Sequence, residues 1–150
     1  MDGSRVQQLG RQMDGVQCAE GDVALVTVGG NDLLGGLLMD TGPGFGRFQA
    51  VLEAALQRLA PARILLGNVY DPTFGDDRAD FVGIDPALTR PNLDRMNALL
   101  ADVAHRFGAL ADLHAHFLTG RPSWFAYTIE PSLEGASEVR RVFLRHLLPG

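Results

Sequence analysis

Polar side chains that could bind a ligand or move a proton fall in three short segments, residues 29–32, 68–71 and 114–116. They supply amide, carboxylate and imidazole groups, and each segment directly follows or ends a short apolar run. If those runs are parallel strands, the three segments lie at their carboxyl ends, where open α/β sheets bind ligands. The sequence therefore predicts one polar site at that edge.

Two groups of residues have the types that metal ions prefer. His114 and His116, with Asp112, resemble part of a transition-metal site, but the spacing places no further ligand beside them. Asp76, Asp77 and Asp80 are acidic neighbours without the pattern of a calcium loop. We therefore predict no metal and no cofactor: the aspartates form a solvated loop, and the two histidines are ordinary polar side chains near the end of a strand.

The surrounding pattern alternates strands with helices. Buried strands are predicted over residues 22–28, 63–70 and 109–114, where apolar and β-branched residues dominate. Apolar residues three and four apart predict helices over residues 6–13, 47–59, 93–107 and 136–147. In the third helix, Asn92 is the expected N-cap. Strands that alternate with helices imply a parallel sheet covered on both faces, so the predicted fold is α/β.

Composition excludes several classes of protein. A length of 150 residues with 46% hydrophobic residues suits one globular domain. The net charge is −5 and the arginines are scattered, which argues against binding nucleic acid. No apolar run is long enough to span a membrane. No secretory leader follows Met1, so we expect a cytoplasmic chain.

Four segments carry a resemblance to a known family. Gly29-Gly30-Asn31-Asp32 follows a buried strand, and residues 2–6 place a glycine before a helix. Residues 68–73 follow the next strand, and residues 129–138 lead into the last helix. In this order they resemble blocks II, III and V of the SGNH hydrolases, the GDSL lipase/esterase family, together with the segment after that family's fourth strand.

The resemblance implies ester hydrolysis by a serine that a histidine activates. It implies a flavodoxin-like three-layer sandwich with a parallel sheet in the order 2-1-3-4-5. Carried over to this chain, Gly3 and Asn31 are the donors of the oxyanion hole. Such donors stabilise charge that develops on the carbonyl oxygen in the transition state. Without the resemblance, Asn31 is simply a turn residue at a strand end.

Two departures bear on activity. The Gly-Asp-Ser block that holds the nucleophile does not occur, so the chain resembles a single partial domain, residues 1–150, that lacks the first two strands. The expected cytoplasmic location therefore applies only to residues 1–150, because a segment before them would change it. The expected Asp-x-x-His-Pro is replaced by Tyr127-Thr128-Ile129-Glu130-Pro131, which leaves Glu130 or His116 as the position of the base, with His114 a weaker alternative.

We therefore predict a GDSL-type ester hydrolase domain that is inactive or incomplete by itself and that binds a small ester once completed. The alternatives are a binding protein of the same fold without turnover, and a module completed by strands from another chain. Without the first strands, residues 23–28 form an uncharged open edge through which copies of the chain would associate.

Overall fold

The computed structural model describes residues 3–76, 78–79 and 83–148. Its helices are α1 (Val6–Gln12), α2 (Gly30–Leu34), α3 (Gly44–Gln57), α4 (Pro86–Phe107), α5 (Leu113–Leu118) and α6 (Leu133–Leu147). Its strands are β1 (Val23–Thr27), β2 (Arg63–Gly67), β3 (Gly108–Ala111), β4 (Phe125–Ala126) and β5 (Glu130–Pro131). Short 3₁₀ turns lie at Leu37–Met39 and Pro122–Trp124.

The main sheet is parallel, in the order β1-β2-β3, and a small antiparallel hairpin joins β4 to β5. This arrangement confirms the predicted α/β class. Helices lie on both faces of the sheet because side chains of a strand alternate between faces. Ile64 and Leu66 pack in one apolar cluster with α1, α3 and α4, whereas Leu65 packs in a second with Val142 and Phe143 of α6.

The strand predicted over residues 22–28 is not buried on both faces, so that expectation is wrong. Leu25 pairs in register with Leu65 and therefore faces the same side of the sheet. Leu65 is 0% exposed and Leu25 is 53% exposed. Val142 and Phe143 of α6 thus cover Leu65 on β2 but do not extend over Leu25 on β1. In the described sheet, β1 is an edge strand with an open apolar face.

The third strand is shorter than predicted, because α5 begins directly after it. Asp112 is the N-cap of α5, and its carboxylate accepts a hydrogen bond from the Ala115 amide. His114 and His116 consequently lie on a helix, where residues two apart point in different directions rather than sharing a strand face. The predicted extension of the strand to residue 114 is therefore wrong.

Helix α4 begins at Pro86, six residues before the predicted N-cap Asn92. Asp85 caps it through the Ala87 amide, Pro86 stands in its first turn, and Pro91 lies inside it. Asn92, the expected N-cap, instead donates to the Leu38 carbonyl at 2.8 Å and thereby fastens the 3₁₀ turn to α4. Of the other predicted features, Asp2, Asp77 and Asp80 lie outside the described residues.

No helix in the described ranges is both long enough and apolar enough to cross a membrane.

Candidate functional site

A cavity of about 300 Å³ opens at the carboxyl edge of the sheet, where the sequence predicts the site. Three parts of the chain supply most of its lining: the end of β1 with α2 and the turn that follows, the segment after β2 with the start of α4, and β5 with the residue before it. Its polar lining residues include Ser4, Asn31, Asn68, Tyr70, Asp71, Thr73, Arg90 and Glu130.

Asn31 lies in the first turn of α2, four residues after the end of β1. The turn requires glycine at position 29, where φ is +108° and an added Cβ would lie 3.2 Å from the Met96 sulfur. Asn31 lines the cavity, and its Nδ2 donates to the Ser4 carbonyl at 3.1 Å. A side-chain amide nitrogen has two hydrogens, so this bond orients the group and leaves a second donor.

Asp32 fastens the segment that contains Gly3 and Ser4. Its buried carboxylate accepts the Val6 amide, with distances of 3.1 and 3.2 Å to the two oxygens. Burial raises the pKa of Asp32 above that of an ordinary aspartate, although the Val6 bond opposes the shift. Gly3 is exposed at a φ of +72° and does not line the cavity; its oxyanion role stays a prediction.

The segment after β2 is held by side-chain amides on both sides. Asn97 of α4 exchanges two hydrogen bonds with the Val69 backbone, each 2.9 Å long. Asn68 donates to the Asp112 carboxylate at 2.9 Å and accepts the His114 amide at 2.8 Å. These bonds link the ends of β2 and β3 to α4 and give the cavity a rigid wall.

Neither histidine is among the residues that line the cavity. The His114 Nδ1 is 3.2 Å from the Val69 carbonyl oxygen. The His116 Nε2 is 2.8 Å from the Glu138 carboxylate, and its ring stacks on Trp124 with centroids 5.4 Å apart. The structure thus brings together Asn31 and Glu130 around the cavity, whereas His116 is engaged with α6.

Glu130 lines the cavity and is exposed, and its charge acts on the phenol of Tyr70. Burial, together with the charge of Glu130, raises the pKa of Tyr70 to about 12. The Tyr70 hydroxyl is therefore a donor at neutral pH, and it donates to the Ile129 carbonyl at 3.2 Å. Tyr127, which stands where the resemblance expects the orienting acid, is 99% exposed.

The sequence did not point to a buried ion pair at the cavity wall. Asp71 is 2% exposed and accepts from the Arg90 guanidinium at 2.6 Å and from the Thr73 hydroxyl at 2.7 Å. Burial by itself raises the pKa of Asp71, but the bonds from Thr73 and Arg90 outweigh it and hold that pKa below the ordinary value. Asp71 is therefore a poor base for the Thr73 hydroxyl.

Because Arg90 pairs with Asp71, we expect the Arg90→Met variant to have a lower free energy of unfolding than the parent, by an amount that depends on pH. At pH 7 we expect a loss of about 1–3 kcal/mol, because the variant leaves a buried carboxylate without its charged partner. The pKa of Asp71 is lower in the folded chain than in the unfolded chain, where it is about 3.9. The ionised carboxylate therefore stabilises the fold above that pH, and this stabilisation is lost as the pH falls through the folded-state pKa. Urea unfolding should therefore show the two proteins converging toward pH 3.

The matched control is Arg78→Met, because Arg78 pairs with Asp76 at 3.1 Å but is 91% exposed. Exposed pairs contribute little, so this variant should unfold like the parent at every pH. Equal losses in the two variants, or a loss in Arg90→Met that does not change with pH, would contradict the assignment.

Within the described ranges, no three His, Cys, Asp or Glu side chains come together as metal ligands do. The arrangement instead combines an oriented amide donor, a phenol and a carboxylate around a cavity with apolar walls. Such a site can bind a small molecule that has one polar group and an apolar part.

Several solved structures share the fold of this chain. The chain resembles the crystal structure of a GDSL-like lipase from Parabacteroides merdae with a TM-score of 0.73 at 19% identity, over 95% of this chain and 68% of that one. It resembles the acetyl xylan esterase AlAXEase with a TM-score of 0.77 at 16% identity, over 99% and 78% of the two chains.

An extracellular lipase from Streptomyces rimosus gives a TM-score of 0.63 at 17% identity, over 95% of this chain and 76% of that one. By sequence, the chain matches no curated protein. Residues 1–137, however, match the family described as GDSL-like lipase/acylhydrolase. The chain therefore belongs to the GDSL-like lipase/acylhydrolase family.

Proposed function

We propose that this chain forms the substrate-binding and oxyanion-binding part of a serine ester hydrolase, and that it does not hydrolyse esters by itself. The observation that carries the proposal is the position of Asn31, an oriented amide donor at the carboxyl end of β1 that faces a cavity of about 300 Å³. Family membership supports the same chemistry.

In the proposed reaction, Asn31 donates its second amide hydrogen to the carbonyl oxygen of the ester. The Ser4 carbonyl holds the amide in place, so the donor does not have to reorganise as negative charge develops. A donor fixed in this way contributes about 2.7–4 kcal/mol to the stability of the transition state.

For the base, the geometry favours Glu130 over His116. Glu130 lines the cavity together with Asn31, whereas the His116 Nε2 is bonded to Glu138 and would have to leave it before it could act there. A solvated carboxylate is a weak base for a serine hydroxyl. Glu130 would therefore need further shielding from water when the substrate or a missing segment is bound.

The nucleophile is the part that these residues do not supply. The sequence has no Gly-Asp-Ser, and the Thr73 hydroxyl at the cavity is bonded to the poorly basic Asp71. The open edge of β1 favours completion by a strand that carries the serine, from the same protein or from a partner chain. A binding protein without turnover is the alternative if no such strand exists.

The first test is direct. We expect purified residues 1–150 to hydrolyse short p-nitrophenyl esters no faster than the heat-denatured protein. A fluorophosphonate probe, which labels activated serines, should leave the chain unlabelled by intact mass measurement. Among the described residues, no hydrogen bond joins a serine hydroxyl to a histidine that could activate it.

A serine esterase treated in parallel shows that substrate and probe are competent. The Ser4→Ala variant is the specific control, because the buried Ser4 hydroxyl has no hydrogen-bond partner among the described residues and lies beside Asn31. Stoichiometric labelling that Ser4→Ala abolishes would show that Ser4 is itself the nucleophile and would overturn the proposal.

A further inference from the structure

Helix α6 exposes all of its leucines. The helix packs on the sheet through Val142 and Phe143, which are 4% and 5% exposed. On its other side, the leucines of the helix and of its C-cap are between 38% and 89% exposed: Leu133, Leu144, Leu147 and Leu148. Leu144 stands three, four and eleven residues from the other three, and these spacings return to one side of a helix. The apolar residues of α6 therefore form two faces, of which the described fold covers one.

The exposed side of α6 also carries a surplus of positive charge. Arg140, Arg141 and Arg145 are exposed, and no acidic residue follows Glu138 in the sequence. Arg141 lies 3.4 Å from the Glu138 carboxylate, but the described residues give Arg140 and Arg145 no ion pair. In a chain with a net charge of −5, this helix thus ends in a local group of cations.

Exposed leucines together with arginines fit one kind of partner best. A contiguous apolar patch with a polar rim marks a surface that binds a protein or a membrane. A helix that lies flat on an anionic bilayer inserts its leucines at the boundary of the acyl chains, and its arginines extend outward to the lipid phosphates. The 15 residues of α6 extend over about 22 Å, so leucines at both ends can reach one flat surface. A protein partner would need acidic and apolar groups in a matching arrangement, whereas an anionic bilayer offers both everywhere.

The negative net charge of the chain does not prevent such binding. At physiological ionic strength, interactions between exposed charges are largely screened beyond about 8 Å, so a lipid surface responds mainly to the groups that touch it. Helices α1, α3 and α4 pack on the opposite face of the sheet. Glu134, the acidic residue in the first turn of α6, is paired with Arg121. The charge that α6 presents to a surface is therefore positive.

We propose that α6 attaches this chain to the surface of an anionic lipid bilayer. The helix lies along the bilayer, its four exposed leucines insert at the level of the headgroups, and its arginines bind the lipid phosphates. None of these leucines and arginines lines the cavity beside Asn31, so the inference does not rest on the proposed function.

The test is flotation of residues 1–150 with vesicles in a density gradient. Vesicle-bound protein rises, whereas protein that has only associated with itself does not. Vesicles of phosphatidylcholine are compared with vesicles in which about 30% of the lipid is phosphatidylserine. We expect the affinity for the anionic vesicles to be at least tenfold higher, and to fall when the salt concentration is raised to about 0.5 M, because salt screens the attraction.

Two double variants test the two parts of this surface. Arg140→Gln with Arg145→Gln should lower the affinity for anionic vesicles about 25-fold, which corresponds to roughly fivefold for each charge removed. Leu133→Ser with Leu148→Ser should lower it at least tenfold, because each leucine loses apolar area that the lipid would bury. These two leucines are 89% and 65% exposed, so their replacement leaves the packing of α6 on the sheet intact.

The matched control is Arg11→Gln with Leu88→Ser. Both residues are exposed, and they belong to α1 and α4 on the opposite face of the sheet. This variant should change the affinity less than twofold. Thermal unfolding verifies the fold of each protein, and the arginine variant still tests the proposal if the leucine variant does not fold.

Three results would overturn the proposal. The first is equal binding to the two kinds of vesicle, or to neither. The second is binding that depends on the arginines but not on the leucines, which would indicate a surface for polyanions such as nucleic acid. The third is a leucine variant that floats like the parent but sediments as a smaller species, which would make this side of α6 an interface between copies of the chain.

Discussion

Replacing Asn31 by alanine should lower kcat by about a hundredfold or more, with little change in KM, in a protein completed by a Gly-Asp-Ser segment. The amide would meet charge that exists only in the transition state, so its loss leaves ground-state binding almost unchanged. Asn31→Asp, which keeps the shape of the side chain but has no amide donor, should fail to the same degree. Steady-state kinetics on p-nitrophenyl butyrate measures both constants.

The control is Asn97→Ala, because Asn97 is also a hydrogen-bonding amide but contacts only the Val69 backbone. That variant should lose more stability to urea than Asn31→Ala and much less kcat. An unchanged kcat in Asn31→Ala would make Asn31 a turn residue and nothing more. Loss of kcat in strict proportion to loss of folded protein would lead to the same conclusion.

Variants of the completed protein also show which of the two candidate residues, Glu130 or His116, is the base. Glu130→Gln should abolish hydrolysis and leave the fold intact, because Glu130 is exposed at the cavity. His116→Ala should act mainly on stability, because His116 is bonded to Glu138. If His116→Ala abolishes activity in a fully folded protein and Glu130→Gln does not, the assignment must be reversed.

The second large effect is expected in the state of association. We expect residues 1–150 to form dimers or larger species at micromolar concentration, by strand pairing along β1. This edge strand has no charge and no proline, and two of its own side chains, Val23 and Leu25, are 40% and 53% exposed. Such an edge is a template for pairing with a second copy or with a partner's strand. Sedimentation velocity measures the species present.

Leu25→Lys and Thr27→Pro should each shift the chain toward monomer, the first by adding a repelling charge and the second by removing a backbone donor. Val16→Lys is the matched control, since Val16 is 50% exposed but lies outside the strand. A monomer that unfolds cooperatively, with the amides of residues 23–27 protected from exchange, would show that the edge is already covered.

The sequence alone was enough for the features that depend on near neighbours. The three parallel strands and most of the helices follow from the spacing of apolar residues, which a sheet or helix repeats locally. The position of Asn31 at the end of β1 follows from the glycines before it, and the resemblance to SGNH hydrolases agrees with the family match over residues 1–137. The sequence identified Asp112 as a polar residue but did not predict that it caps α5.

Only the tertiary structure decided which of these groups meet. The bonds of Asp71 to Arg90, of His116 to Glu138 and of Asn68 to the His114 amide join residues 19, 22 and 46 positions apart. Local propensity carries no information about such distances, because they depend on how α4, α5 and α6 pack on the sheet. For the same reason, Leu25 and Leu65 look alike in sequence, yet α6 covers Leu65 and leaves Leu25 exposed.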